Sequence, residues 1–503
     1  MVVVAPVVRA LYCLFVLLIP PRLAGAQDLA QQIAAAAAAA PGAAAATPAA
    51  EEDPVIKWWR DHVKGSFRSK TFASFQTTLE EQRTVRQEGL LRLEINQDLG
   101  QGFGLFLVPQ WKADSGNYVK EPWMNFRDST FHDPYFSFNQ GYLRYRAESF
   151  DVTVGKQIYS WGTADGYNPT DYLLNPWDYQ DIPDREKLGV FSISANYYLP
   201  NTSFQFIVMP HFTPSRIPMV NNRWLGVGEP ARDLLGPFAK SALPLIDFII
   251  KDGRKLPPKR FENTQVAFRA KTSAISGWDL SLSYFDGYDN LPVVSVGGPI
   301  CVLVPTLGPV CVGPPKTVFP RVRAVGADFS TTFGKLEVHG EAVAKFYDAG
   351  LTTDRMPVVI GGRYVWDQSD VGGLGLEQIL FVLEYGHDFD LHKRDNPLTR
   401  DLSFFVRPIQ STIISRVGFK IDDANELTLS GAVNFYGPNS GYLQPKYSYK
   451  FTDNLKAEVG FDVFWGDFSI KPVLIPPGLN QKLSFWGKWD RNDRGFLNLT
   501  YLF

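Results

Sequence analysis

The sequence predicts an all-β fold: a single transmembrane antiparallel β-barrel of about 16–18 strands, 18 preferred, with long extracellular loops and short periplasmic turns. Three observations predict it. Apolar residues recur at every second position in segment after segment, the period of a strand with one apolar face. The connections between these segments alternate, one short and the next long. The composition is rich in aromatics, with 37 Phe, 21 Tyr and 12 Trp, yet 20% charged. After the first few dozen residues no apolar run is long enough for a membrane helix. A soluble sandwich also alternates in period two, but it does not account for all three.

The chain opens on "MVVVAPVVRALYCLFVLLIPPRLAGAQD". Arg9 precedes an apolar core from Ala10 to Ile19, and Ala24-Gly25-Ala26 stands before Gln27. This reads as a secretory signal, residues 1–26, cleaved after Ala26. Cys13 lies within the apolar core behind the bulky Tyr12, so it is not read as a lipoprotein cysteine. Residues 27–65 begin with an Ala/Pro-rich tract in which Pro41 and Pro48 interrupt any helix. They are expected to form a periplasmic tail, with "DPVIKWWRDHVKG" as a plug, a cap or a lead-in. Residues 66–503 are expected to form the barrel.

Strands pair from there onward. "LRLEINQDLGQGFGLFLVPQW" reads as two strands about a Gly turn, with Leu91, Leu93 and Ile95 on one face and Phe103, Leu105, Leu107 and Trp111 on the next. "GYLRYRAESFDVTVGKQIYSWG" and "GVFSISANYYLPNTSFQFIVMPHF" repeat the design, and four later strand pairs follow it. The alternation places Lys156 in lipid unless a bulge at Gly155 turns it inward. Short turns such as "PNT" and "TDNL" separate long loops near 112–138, 161–187, 213–261, 287–318, 388–408 and 466–481. The last strand, "RGFLNLTYLF", sets Leu497, Leu499, Tyr501 and Phe503 on one face. Closure of a barrel pairs it with the first strand and leaves no edge.

If the apolar face meets lipid, its alternate faces the lumen. The inward basic set then includes Arg144, Arg146, Arg269, Lys271, Arg321, Arg323, Arg416 and Lys420. Inward acids such as Glu337, Glu341 and Asp462 are fewer, so the wall is expected to be positively biased and to favour anions. Pairing across the lumen, which merely hydrates it, is the other reading.

Two loops stand out. "WGTADGYNPTDYLLNPWDYQDIPDREK" carries Asp165, Asp171, Asp178, Asp181 and Asp184, with Asn-Pro steps that order it. Tyr172, Leu173, Leu174, Trp177 and Tyr179 give it an apolar packing of its own. It is expected to fold inward as a constriction opposite the basic wall; a structured outer loop that binds calcium or faces water is the alternative. The segment "GEPARDLLGPFAKSALPLIDFIIKDGRKLP" is apolar and suggests one or two short helices. It serves as a lid, a contact for an apolar substrate or a neighbour, or a satellite core.

Once a signal is removed two cysteines are left, Cys301 and Cys311, flanking "VLVPTLGPV". An oxidising compartment favours a disulfide between them, worth roughly 2.5–3 kcal/mol in the chain-entropy model. No catalytic motif occurs, and neither an enzyme nor a cofactor is expected. The "HDFDLH" cluster at 387–392 reads as polar surface on a loop tip rather than a metal site. A formal charge of −2 gives no reason to expect nucleic acid.

The stretch from Gly155 to Pro218, with "GKQIYSWG" leading into "NPTDYLLNPWDY", resembles poorly characterised proteobacterial outer-membrane porin-like proteins. In size and basic lumen the chain is also similar to the alginate-export porins, which are 18-stranded and carry an anionic polysaccharide. Tyr501 and Phe503 resemble the terminal signal read by the barrel assembly machinery, the expected partner in biogenesis alongside outer-membrane lipid. The resemblance implies a Gram-negative outer-membrane channel for passive or gated diffusion of small polar or anionic solutes. An export conduit for an anionic polysaccharide, or a plugged structural or partner-binding barrel, stands as the alternative.

Overall fold

A computed structural model describes residues 53–503, except 117, 122–128, 172, 229–231, 234–235, 252, 296–299, 305–307, 313–315, 349–351, 393–408 and 475–476. The expected signal peptide, its cleavage site and most of the low-complexity tail lie outside the described residues. Two compact units divide after Trp58. The first is described only from Asp53, where helix α1 (Pro54–His62) opens. The second, Trp59–Phe503, contains an 18-stranded antiparallel sheet closed on itself.

Its strands are β1 (Val63–Ser74), β2 (Val85–Gly100), β3 (Phe103–Asp114), β4 (Phe136–Arg146), β5 (Phe150–Gln157) and β6 (Val190–Leu199). Then come β7 (Thr202–Met209), β8 (Gln265–Thr272), β9 (Trp278–Tyr288), β10 (Arg321–Phe333), β11 (Leu336–Tyr347) and β12 (Asp354–Trp366). The circuit finishes with β13 (Gln378–His392), β14 (Thr412–Lys420), β15 (Asn425–Asn434), β16 (Ser440–Lys450), β17 (Leu455–Gly466) and β18 (Arg494–Leu502). Each pairs with the next, and β18 pairs with β1 from Ser66↔Leu502 to Ser74↔Arg494. The Phe503 backbone exchanges two hydrogen bonds with Gly65. A Cβ at Gly65 would lie 2.2 Å from the Phe503 ring, so glycine is what lets the last aromatic lie over the first strand. Closure matters because each unpaired backbone group in hydrocarbon costs several kcal/mol.

The outer face is apolar and uncovered. Phe191, Ile193, Phe206, Leu282, Tyr284, Val325, Ile360, Leu383, Tyr385, Phe461 and Tyr501 all expose large side chains outward. A soluble barrel would not carry such a band; lipid covers it. No helix among the described residues is long and apolar enough to cross a membrane. Short connections gather at one rim, and segments 158–189, 210–264, 289–320 and 467–493 at the other.

The inner face is not polar throughout. Val190, Ile207, Met209, Ala267, Phe285, Val322, Ala324 and Val343 point inward and are buried in one cluster with Tyr159, Trp161, Leu173 and Leu174 of the 158–189 loop. This overturns part of the expected wall. On β10, Val322 and Ala324 are nearly inaccessible while Val325 is 53% exposed. Arg321 and Arg323 therefore share the outward parity of Val325. They sit at the long-loop rim, paired with Asp286 and Asp348 at 2.8 Å each. The rule that apolar means lipid fails there because a loop fills the lumen and makes the inner wall apolar too.

Two smaller expectations also change. Pairing runs unbroken through Gly155 on both sides, Gly155↔Ser192 and Gly155↔Tyr142, so no bulge turns Lys156 inward. It stays on the outer face near the rim, where a lysine can reach water along its apolar stem. The "HDFDLH" residues form the end of β13, not a loop tip.

Candidate functional site

The 158–189 loop enters the barrel because its polar groups find partners on the wall. On β11, the buried Glu341 accepts hydrogen bonds from the Ala164 and Thr170 amides at 2.9 and 3.1 Å and from the Thr170 hydroxyl at 2.6 Å. On β13, Glu384 accepts from the Asp165 and Gly166 amides, and its other neighbour is His339 Nε2 at 2.9 Å. On β14, Arg416 donates to Asp165 at 3.2 Å.

The far end of the loop is held on the other side of the ring. Arg494 of β18 donates a fork of two hydrogen bonds to Asp181 at 2.6 and 2.8 Å. Arg86 of β2 donates to the same carboxylate. Both guanidiniums flank the Phe72 ring, at 4.4 Å for Arg86 and 4.1 Å for Arg494. Lys70 of β1 pairs with Asp184, and Arg92 of β2 with Glu186 at 2.8 Å. Strands β2 and β11 lie nine places apart in a ring of 18, so the loop spans the lumen rather than hugging one wall.

Its acids differ in electrostatic state. Burial alone would raise the Asp181 carboxyl, but Arg494 and Arg86 hold it below the usual carboxylate range. Burial raises Asp184 despite Lys70. Asp178 and Asp133 share Lys112 and Arg216. Burial and the neighbouring Asp133 push Asp178 well up; burial opposes ionisation of Asp133 too, yet Lys112 and Arg216 hold it low. Asp171 stays within the loop, accepting from the Trp161 amide at 3.1 Å and pairing with Lys187.

All five predicted acids are thus inside the barrel with named partners. Tyr172 lies outside the described residues, and Leu173 and Leu174 pack on the wall rather than on each other alone. Of the predicted basic set, Arg144, Arg146, Arg269, Lys271, Arg416 and Lys420 have inward parity. Arg269 is engaged by Asp328 at 3.1 Å, and Lys420 by Glu377 and Asp423 at 2.7 and 2.8 Å. Among the described residues, Arg144 and Arg146 have no ion-pair partner. Cys301 stands directly opposite Cys311 in a two-stranded ribbon outside the barrel wall; their side chains lie outside what is described. The apolar segment forms helix α2 (Ala239–Lys251), with Leu243 buried and the preceding Phe238 exposed.

Sequence reasoning missed Glu341, Glu384, His339, Arg86 and Arg494 as anchors. Asp165, His339 and Glu384 bring possible ligand atoms within 4.8 Å of one another. Both Glu384 oxygens already accept hydrogen bonds, so the cluster acts as a tether. Two further segments were not anticipated inside. Trp224 and Trp489 meet edge to face, with the Trp489 indole donating to the Trp224 carbonyl at 3.0 Å. Between these segments, the loop and strands β13–β16 lies a cavity of about 580 Å³.

A family model described as "Protein of unknown function (DUF1302)" matches residues 56–361. No curated protein matches the chain. Among solved structures, the chain is similar to OccK11 (OpdR) of Pseudomonas aeruginosa, at 8% identity and a TM-score of 0.47, covering 88% of this chain and 95% of that one. It is similar to OccK2 (OpdF) of the same organism, in complex with glucuronate, at 8% identity and 0.47, covering 88% and 96%. It is also similar to Wzi of Escherichia coli, described as a carbohydrate-binding β-barrel of capsule assembly, at 9% identity and 0.44, covering 89% and 85%. At such identities no ligand or role carries over from them.

Proposed function

The chain belongs to the DUF1302 family, and for it we propose a porin-like outer-membrane channel that is gated and selective, passing small anionic solutes by diffusion past an inner loop. The observation that carries this reading is the loop's attachment to opposite walls, by Glu341 and Glu384 on one side and by Arg494, Arg86 and Lys70 on the other. A loop held across a lumen narrows it, and charges facing each other there act in a low-dielectric space where they select by sign. The inward Arg144 and Arg146 add positive potential toward the short-turn rim.

The test is conductance of the refolded protein in a planar bilayer under a salt gradient. Steady current with an anion-selective reversal potential is expected. Cation selectivity overturns the assignment of the wall.

One observation favours a second reading, a barrel closed at rest that serves a structural or partner-binding role. Trp161, Leu173 and Leu174 of the loop are buried in one apolar cluster with Val322 and Val343 of the wall, and such a cluster narrows the open cross-section at that level. Silence in the bilayer, persisting in a variant whose loop is released from Arg494, would establish this second reading instead.

A further inference from the structure

The cavity of about 580 Å³ falls within the usual size of small-molecule sites, about 300–1,000 Å³. Its walls are unlike those of a hydrated pore. One side is aromatic: Trp224, Tyr442, Phe485, Trp486 and Trp489. The Tyr442 and Trp486 rings stack there, 5.4 Å between centroids and 22° between planes. The barrel wall beside them is largely aliphatic, with Val382, Ile414 and Ala432, and Ile409 just before β14.

The polar groups of this lining turn to partners within the protein. Arg416 donates to Asp165 at 3.2 Å. The Tyr442 hydroxyl donates to Asp462 at 2.8 Å. The Thr412 hydroxyl accepts from the Asn434 amide at 2.8 Å, and the Trp489 indole donates to the Trp224 carbonyl at 3.0 Å. Arg185 lies over the Trp177 ring at 5.4 Å. Lys488 lies over the rings of Phe485 and Trp489 at 4.3 and 4.2 Å, and burial lowers it to about 7, so near neutral pH part of its population is uncharged. What the chamber offers a solute is therefore apolar surface. An acid entering it would lose its water and find the cations already engaged. A sugar would give up hydrogen bonds to water that these walls do not return. A neutral apolar body gives up nothing and releases water from both surfaces.

We propose that this chamber is a binding site for a neutral, apolar organic molecule, held by contact with the indole rings and the branched side chains and by no ion pair. The site goes beyond the channel reading, which concerns ions that pass the loop, and the two can fail separately.

The experiment uses the full chain in phosphatidylcholine nanodiscs and titrates two dyes that share one body. N-phenyl-1-naphthylamine is neutral, and 8-anilinonaphthalene-1-sulfonate carries an acid. Both brighten on leaving water, and empty nanodiscs give the share taken up by lipid. The neutral dye is expected to show a saturable site at least about tenfold tighter than the sulfonate. Ser430 lines the chamber and shares the inward parity of the buried Ala432 on β15. Ser430→Phe should fill the space and abolish the saturable part of the signal. Lys488→Met should leave it within about twofold. Should Ser430→Phe fail to form the heat-stable barrel, Ser430→Leu replaces it. A sulfonate bound as tightly as the neutral dye, a site lost with Lys488→Met, a saturable signal that survives filling of the chamber, or uptake no greater than that of empty nanodiscs overturns the proposal. Anion-selective current without saturable dye binding sinks this site and leaves the channel standing. Saturable binding that Ser430→Phe abolishes, without current, sinks the channel and leaves the site.

Discussion

Arg494 in the last strand and Asp181 in the inner loop, 313 residues apart in sequence, meet through two parallel hydrogen bonds of 2.6 and 2.8 Å. Both side chains are buried, and Arg494 also holds Asp462 of β17 at 2.7 Å. One guanidinium therefore links barrel closure to the position of the loop. Removing one partner of a buried pair leaves the other charge uncompensated, at a cost of about 3–5 kcal/mol. Asp181→Asn is expected to lower the urea midpoint of the barrel and to raise single-channel conductance. A parental midpoint together with parental conductance would show that this contact holds nothing.

At the other anchor, Glu341 accepts from three backbone amides, those of Thr163, Ala164 and Thr170, and from the Thr170 hydroxyl. Glutamine offers one accepting oxygen in place of two, so at least one buried donor loses its partner, at about 1–3 kcal/mol. Glu341→Gln should speed amide hydrogen exchange at residues 163–170 while exchange on β10 and β11 stays as it is. Unchanged exchange in the loop contradicts the tether.

Ion selectivity should follow side-chain parity. Arg144 and Arg146 face the lumen, whereas Arg323 faces outward beside Asp348. Replacing Arg144 and Arg146 by Glu is expected to move the reversal potential toward cations. Arg323→Glu should leave it where it was. Equal shifts from both changes would mean that selectivity is set at the rims and not along the wall.

Lys488 gives a signed pH dependence. Burial lowers its pKa to about 7 in the folded chain, against about 10.4 when unfolded. Between these values the unfolded chain binds more protons, so this residue makes stability rise with pH across that window. The Lys488→Met variant should show a flatter stability profile between about pH 7 and 10 than the parent. Parallel profiles would place the lysine in water.

The ribbon register brings Cys301 opposite Cys311. Directly paired strand residues have Cα atoms about 4.5–5.5 Å apart, within the range a disulfide spans. Protein isolated from an oxidising compartment should resist alkylation at both positions until it is reduced. Two thiols reactive from the start would dispose of the bond.

Much of this molecule was legible before folding was considered. The alternation in "FSISANYY" is a local property, because successive side chains of any strand point to opposite faces. The alternation of "PNT"-like turns with long loops is local too, and together they determined a closed antiparallel barrel with the last strand on the first. The acidic loop could be read as inward-folding from its own residues. Its anchors could not, since Glu341, Glu384, Arg86 and Arg494 look like any inward polar position of a strand. Nor could the true direction of Arg321 and Arg323 be read. A period of two states that two faces differ, but which one meets lipid depends on what occupies the lumen. There, Leu173 and Leu174 of a loop from elsewhere in the chain are buried in one cluster with Val322, so part of the inner wall is apolar as well. The sequence by itself determined the wall; only the tertiary structure decided what the wall encloses, because the lumen is filled by contacts between residues far apart in the chain.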